Sequence, residues 1–599
     1  GRQTQISDAT ARTTTLGYDA ASQLQSIDYS DSQTADVDYD YDLLGRRTRM
    51  VDGSGTSSYA YDSLGRLTSK TDGSAHTLGY SYDLAGHLTK TTYPAGLVAA
   101  TAPGQTISDP SVTSSHDNAG RVSAVTDWLG HRTEFDYDAD GNPTAQRYPN
   151  QTSAAITYDH ADRQTRRTDS GPGSTTILDL TATRNANGQL ATQTRDPSPP
   201  PATQTLTYDA LDQLTQATTG SGPSAETYSY AHDVGDRLTR IASPTADTTL
   251  VYDAANQLTQ TKDTTTGTTT QTFTYDLLGD RTSQDPAGPT TATTYSYDQA
   301  NRLTGEHNPA SSPDITYAYD GDGLRADVLW DTVGGLPVIV ADSAGLYVSG
   351  PDGLPLTQLT FSGQQRYYHH DQLGSTRAIT DAAGAVTARY SFDPYGNPTT
   401  DSSGADSRFG YAGQYTDHAT ALIYMRARWY DPATGQFLTR DPLEAITGSA
   451  YGYANADPIN LVDPSGLTPW WMRASNAAAG ELNVLTAGLS NRIAGAAFGF
   501  DASCANFGEG YGTGEGAAAL ALIATGVVGG ARAIGARAAK GGGRLPWAGH
   551  RPYVAEPRAS ALPKRPAEAR VGLPARATRH AQGQVPAVER IRRERQAGP

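Results

Sequence analysis

A Tyr-Asp dipeptide that returns at a nearly constant spacing constrains this chain more than any other feature. It stands at Tyr18, Tyr41, Tyr61, Tyr82, Tyr137, Tyr158, Tyr208, Tyr252, Tyr275, Tyr297 and Tyr319, with weaker copies around His116, Gln189 and Tyr230 in the gaps. The fullest units read Tyr59-Ala60-Tyr61-Asp62-Ser63-Leu64-Gly65-Arg66-Leu67-Thr68 and Tyr80-Ser81-Tyr82-Asp83-Leu84-Ala85-Gly86-His87-Leu88. Tyr-x-Tyr places two rings on one face of a strand. Asp and the following Gly or Asn supply a turn, and Arg-Leu-Thr begins the return strand. One period is therefore two strands of ordinary length with their turns, and cross-strand Tyr and Arg pairs are expected to stack along the sheet. About fourteen such units in series predict one long antiparallel sheet. Strand twist and the hazard of free edges predict that it curls into a spiral or shell.

A chain of 599 residues exceeds one compact domain on ordinary priors, but a repeat array escapes that rule because each unit packs against its neighbours. The net charge of −17 is unevenly spread. Residues 468–599 hold 17 Lys and Arg against 8 Asp and Glu, a net of +9, which leaves −26 on residues 1–467. The acidic body repels nucleic acid; of the two segments, only the basic tail can attract it. A single cysteine, Cys504, excludes internal disulfides. Gly1 stands where an initiator Met is expected and already lies in the repeat phase, with no signal segment before it, so an N-terminally incomplete chain is expected.

Other motifs follow the repeats in a fixed order: Tyr367-Tyr368-His369-His370-Asp371-Gln372-Leu373-Gly374, Tyr390-Ser391-Phe392-Asp393-Pro394-Tyr395-Gly396, Phe409-Gly410-Tyr411-Ala412-Gly413-Gln414, and the block from Arg426 to Leu467. Over residues 1–467 the chain resembles the rearrangement-hotspot (RHS, or YD-repeat) proteins and is similar to the cocooning subunits of insecticidal toxin complexes. The resemblance implies an all-β shell of spiralling antiparallel sheet, closed by a core domain, that encloses a variable C-terminal toxin and releases it by self-cleavage. On that reading residues 1–330 are the repeats, 331–467 the core domain, 468–545 an Ala/Gly-rich helical pre-toxin segment, and 546–599 a basic, disordered or truncated tail. The implied partners are the chain's own C-terminal effector, an immunity protein and a delivery apparatus. The implied location is secreted or envelope-associated.

The junction Pro458-Ile459-Asn460-Leu461-Val462-Asp463-Pro464-Ser465-Gly466-Leu467 matches the family pattern of Pro, four residues, then Asp-Pro-x-Gly-Leu, after which the family cuts. The cut is expected between Leu467 and Thr468, with Pro458, Pro464 and Gly466 supporting the motif. Arg440-Asp441, upstream of Asp463, occupies the place of the second catalytic aspartate and its arginine. Two carboxylates brought together share a proton, so one can activate water while the other protonates the peptide. Arg440 is expected to orient one of them. The expected activity is an aspartic autoprotease acting once on its own chain, without cofactor or metal. Asp before Pro is also a routine turn starter, and Asp431 and Asp457 are read as turns.

Other constellations read as structure. Asp136-x-Asp138-x-Asp140-Gly141 opens like a calcium loop, but Arg147 stands where the bidentate Glu belongs. His369 and His370 are adjacent on a strand and point to opposite faces. Gly171-Pro172-Gly173 is a loop. Residues 516–531 form an uncharged run, with Gly526 and Gly530 one helical turn apart, suited to transient membrane contact but short for a stable span. The C-terminal tail lacks periodicity, and His550 and His580 sit in no recognisable catalytic pattern. Two alternatives stand beside the toxin shell: a non-cleaving adhesion protein whose repeats bind glycans, and a carrier of a nucleic-acid-targeting effector.

Overall fold

The computed structural model describes residues 2–196, 202–288, 291–310, 313–399 and 407–467. The pre-toxin and tail segments, the apolar run 516–531, Cys504, His550, His580 and Thr468 therefore lie outside the described residues.

The repeats form one 28-stranded sheet from Gln5–Ser7 to Ile315–Thr316. Each strand pairs antiparallel with the next in sequence, as where Gly55–Tyr61 meets Leu67–Thr71 and Leu67–Thr71 meets Thr77–Tyr82. The unit at Asp62 shows how the sequence writes this. The Asp62 carboxylate accepts the backbone N–H groups of Leu64 and Arg66, both at 2.9 Å, and the Arg66 Nε–H at 2.7 Å. Gly65 takes φ +83°, open to glycine without penalty. Arg66 then reaches the next unit, where Nη1 donates to the Asp83 carbonyl at 3.1 Å and the guanidinium lies 4.7 Å over the Tyr82 ring. The Tyr82 hydroxyl in turn donates to the Leu67 carbonyl at 2.8 Å. Tyr41, Tyr61, Tyr137, Tyr158, Tyr208, Tyr252, Tyr297 and Tyr319 repeat that bond on the preceding return strand. Each hydrogen bond of this kind is worth about 1 kcal/mol net, so the array is held by many equal small terms.

The sheet buries one face. Along Gly55–Tyr61, Ser57 and Tyr59 are buried while Ser58 and Ala60 are exposed. No pairing joins its first and last strands among the described residues, so it is an open sheet that coils back on itself through side chains. Asp322 accepts a two-pronged pair from Arg47, at 2.6 and 2.7 Å, both buried. The Asp52 carboxylate accepts the Gly321 N–H, and the Gln299 N–H donates to Thr34.

A second sheet of seven strands runs from Leu329–Asp331 to Val386–Arg389. Every residue of Pro355–Thr360 and Thr376–Thr380 is buried, the mark of strands covered on both faces. The repeats lend polar partners to this sheet: Tyr93 and Tyr148 donate to the Tyr347 and Tyr368 carbonyls, and His369 bonds Asp169 at 2.8 Å. A small four-stranded sheet, Tyr415–Thr416 to Gln436–Phe437, follows. It is tied to the repeats by Arg281, fully buried, whose Nη1 donates to Asp431 at 2.7 Å. No helix of the described residues is long and apolar enough to cross a membrane.

Glu306 gives the fold a pH dependence. Burial first, then Asp417 and Asp431, push its carboxyl up to about 7 from an ordinary 4.5. The folded chain therefore keeps a proton that the unfolded chain has lost. This contribution to stability is complete below about pH 4.5 and is lost as pH rises through about 7. Thermal melts at pH 5.5 and 7.5 are expected to differ by less in Glu306→Gln than in the parent chain.

Candidate active site

The junction lies on a β-hairpin made by Ile423–Met425 and Arg428–Asp431. Its tip offers donors in sequence to the last described segment. Arg426 Nη1 donates to the Pro464 carbonyl at 2.5 Å, the Ala427 N–H to the Ser465 carbonyl at 3.1 Å, and Arg428 Nε to the Gly466 carbonyl. Residues 464–466 are thus strapped to the tip. Gly466 is required there: its φ is +71°, and an added Cβ would sit 2.6 Å from the Met425 carbonyl oxygen.

Asp463 opens the turn into this strap. Its Oδ1 accepts the Leu467 N–H at 3.0 Å and the Ser465 hydroxyl at 3.2 Å. Asp441 arrives from another element, anchored by its N–H to the Ala450 carbonyl at 2.7 Å. Its Oδ1 accepts the Leu443 N–H, and its Oδ2 faces the Thr447 hydroxyl at 3.3 Å. Between the two carboxylates stands Arg428. One nitrogen, Nη2, lies 3.3 Å from Asp441 Oδ2 and 3.6 Å from Asp463 Oδ2. The guanidinium also lies 3.7 Å over the Phe437 ring. Asp441, Asp463, Arg428 and Leu467 are all buried. Burial pushes the Asp441 carboxyl up, the Arg428 charge pulls it back, and the Asp463 charge raises it further.

The structure therefore brings Asp441, Asp463 and Leu467 together but leaves Arg440 outside. The Arg440 side chain is 46% exposed and pairs with Glu444 one helical turn on. Neighbouring residues on an extended segment point opposite ways, so the side chain next to Asp441 is turned from its carboxylate. The cation between the acids is Arg428, which sequence reasoning missed. Its signal was an arginine on a strand of buried aromatic residues, Trp429 and Tyr430, where an unpaired charge is costly. Pro458 gives its carbonyl to the Tyr411 hydroxyl at 2.9 Å, and Thr468 lies outside the described residues. Arg440→Ala is expected to change stability by less than about 0.5 kcal/mol, as for an exposed pair, and to leave any chemistry at Leu467 intact, read by denaturant melts and gel analysis.

The remaining motifs are occupied by structure. Arg147 closes on Asp136 at 2.5 and 2.7 Å, and Asp138 is a repeat-turn acid accepting the Asp140 and Asn142 N–H groups. His369 bonds Asp169 and Thr380, whereas His370 bonds the Pro355 carbonyl.

Two family models agree with the repeat architecture. A teneurin YD-shell model matches residues 172–332 and 354–459, and an RHS-repeat model matches 41–77, 61–98 and 116–153. Among curated proteins, the chain is similar to the tRNA3(Ser)-specific nuclease WapA of Bacillus spizizenii, 37% identical over 26% of this chain and 7% of that protein. It is similar to the double-stranded DNA deaminase toxin A of Burkholderia cenocepacia, 26% identical over 59% of this chain and 22% of that one. It also resembles the toxin subunit YenC1 of Yersinia entomophaga, 32% identical over 17% of this chain and 11% of that protein. The chain thus spans less than a quarter of the length of each of these relatives. Among solved structures it aligns with TcdB2-TccC3 at 16% identity and TM-score 0.41, covering 77% of this chain and 31% of that one. It aligns with a Photorhabdus luminescens Tc holotoxin pore at 15% identity and TM-score 0.38, covering 77% and 30%.

Proposed function

We propose that the RHS/YD repeats of this chain wall in a C-terminal effector, which its own core region, residues 331–467, cuts free after Leu467. The observation that carries this reading is the pair of buried carboxylates on one guanidinium, beside the backbone of the residue that ends the motif. Asp441, whose burial favours the protonated form, is the acid; Asp463, which already holds the Leu467 N–H, is the base. In the step proposed, Asp463 takes a proton from water and the hydroxide adds to the Leu467 carbonyl carbon. Asp441 delivers its proton to the Thr468 nitrogen as the C–N bond breaks. Arg428 positions both acids and offsets the negative charge that passes from Asp463 to Asp441. Gel analysis of freshly made protein tests this: processing gives a separate piece comprising 468–599, whereas persistence of one band removes the proteolytic reading.

The cargo's class of target follows from charge. Residues 468–599 carry a net +9 against −26 on the wall, which suits a segment that acts on a polyanion. Two of the relatives are named for action on tRNA and on double-stranded DNA. Incubating the released piece with tRNA and with duplex DNA tests this. Both substrates left unchanged removes nucleic acid as the target while leaving self-cleavage untouched. Export, an immunity partner and a delivery apparatus belong to the same proposal.

A further inference from the structure

At one position in the repeat ladder a pair of histidines replaces both partners of its recurrent contact. Where a repeat arginine faces the tyrosine of the following unit, the two stack: Arg46 over Tyr61 and Arg66 over Tyr82 at 4.7 Å, Arg121 over Tyr137 at 4.6 Å, Arg237 over Tyr252 at 5.0 Å and Arg302 over Tyr319 at 5.1 Å. After the unit at Tyr82, His87 stands where the arginine belongs and His116 where the tyrosine belongs. The strands Leu88–Thr92 and Ser111–His116 pair with Thr113 opposite Lys90, a register that continues to place His116 opposite His87. The two imidazoles stack with centroids 4.8 Å apart and planes 23° from parallel. Asp83, the turn acid of the same unit, has Oδ2 2.9 Å from His87 Nδ1.

We propose that Asp83, His87 and His116 form a site for a borderline divalent transition-metal ion such as Zn2+, at the turn end of interior strands of the repeat sheet. One ligand atom from each of the three lies within 4.8 Å of the others. Two imidazoles and a carboxylate are the donor set that zinc accepts, with bonds of about 2.0–2.2 Å. The three must close by about an ångström to meet one ion. The site can give, because Asp83 and His87 are each more than a third exposed and neither is locked in the core. Water fills the open positions. Such an ion would clamp Leu88–Thr92 to Ser111–His116 across the long connection, 93–110, that contains the helix Ala95–Thr101. Asp83 and His116 are distant in sequence, and only the ladder brings them together.

The test is calorimetric titration of ZnCl2 into chelator-stripped full chain, set beside His87→Arg/His116→Tyr, which restores the pair used elsewhere in the ladder. A second variant, His116→Phe, keeps a ring in the stack and removes its ligand nitrogen. The parent is expected to bind one Zn2+ at this site about tenfold or more tightly than either variant. Zn2+ is also expected to raise the melting temperature of the parent alone. Equal affinity in all three, or none in the parent, overturns the site and leaves the stacked histidines as a neutral substitute for the Arg–Tyr pair.

Discussion

Asp441→Asn and Asp463→Asn are each expected to leave the chain in one piece, with cleavage slowed by about two to four orders of magnitude, the range for loss of a general acid or base. The substitution is close to isosteric, which separates chemistry from folding. In Asp463→Asn the new amide keeps a carbonyl oxygen for the Leu467 N–H, the contact Asp463 makes at 3.0 Å. In Asp441→Asn it keeps one for the Leu443 N–H, held at 2.7 Å by the parent carboxylate. In each variant Arg428 still faces one carboxylate, so no buried charge is stranded. Circular dichroism melts are expected to stay near those of the parent while the 468–599 piece disappears from the gel. Continued cutting in both variants would remove the aspartates from the reaction.

Arg428→Ala is expected to be the most damaging substitution near the junction, costing about 3–5 kcal/mol, because it leaves two buried carboxylates without their cation. Arg428 also donates to the Gly466 carbonyl and covers the Phe437 ring, so the strap over the hairpin tip loosens as well. Both stability and cleavage should fall together. Asp441, whose carboxyl is already pushed up by burial and by Asp463, takes on a proton more readily once the guanidinium is gone. The deficit in stability therefore shrinks as pH is lowered. Denaturant unfolding of parent and variant at two pH values measures this, and a midpoint unchanged at neutral pH would contradict the buried-triad description. Arg440→Ala is the internal contrast, since the Arg440 side chain is itself exposed and faces neither acid of the junction.

The hairpin ladder was legible because its code is local. Asp62, Gly65 and Arg66 lie within a single turn and set it by themselves, and the Tyr82 hydroxyl bond needs only the preceding strand. The coil was not legible at the level of residues. Nothing in the repeat says that Arg47 will meet Asp322 or that Gln299 will reach Thr34, because those contacts depend on accumulated twist. At the junction, family pattern pointed to Asp441 and Asp463 but not to the cation between them. Sequence adjacency favoured Arg440, while the alternation of an extended chain turned it outward. Arg428 reaches the site from a hairpin strand that precedes both acids in sequence and adjoins neither. The histidine pair at 87 and 116 escaped for the same reason: its meaning appears only when the strands are in register.

Intact-mass analysis of the purified 599-residue chain, with sequencing of the new N-terminus, reads the proposed cut itself. Two species are expected, residues 1–467 and a piece that begins at Thr468 and runs to Pro599, with the second missing from Asp441→Asn and Asp463→Asn. A single uncut mass, or a boundary away from Leu467, would contradict it.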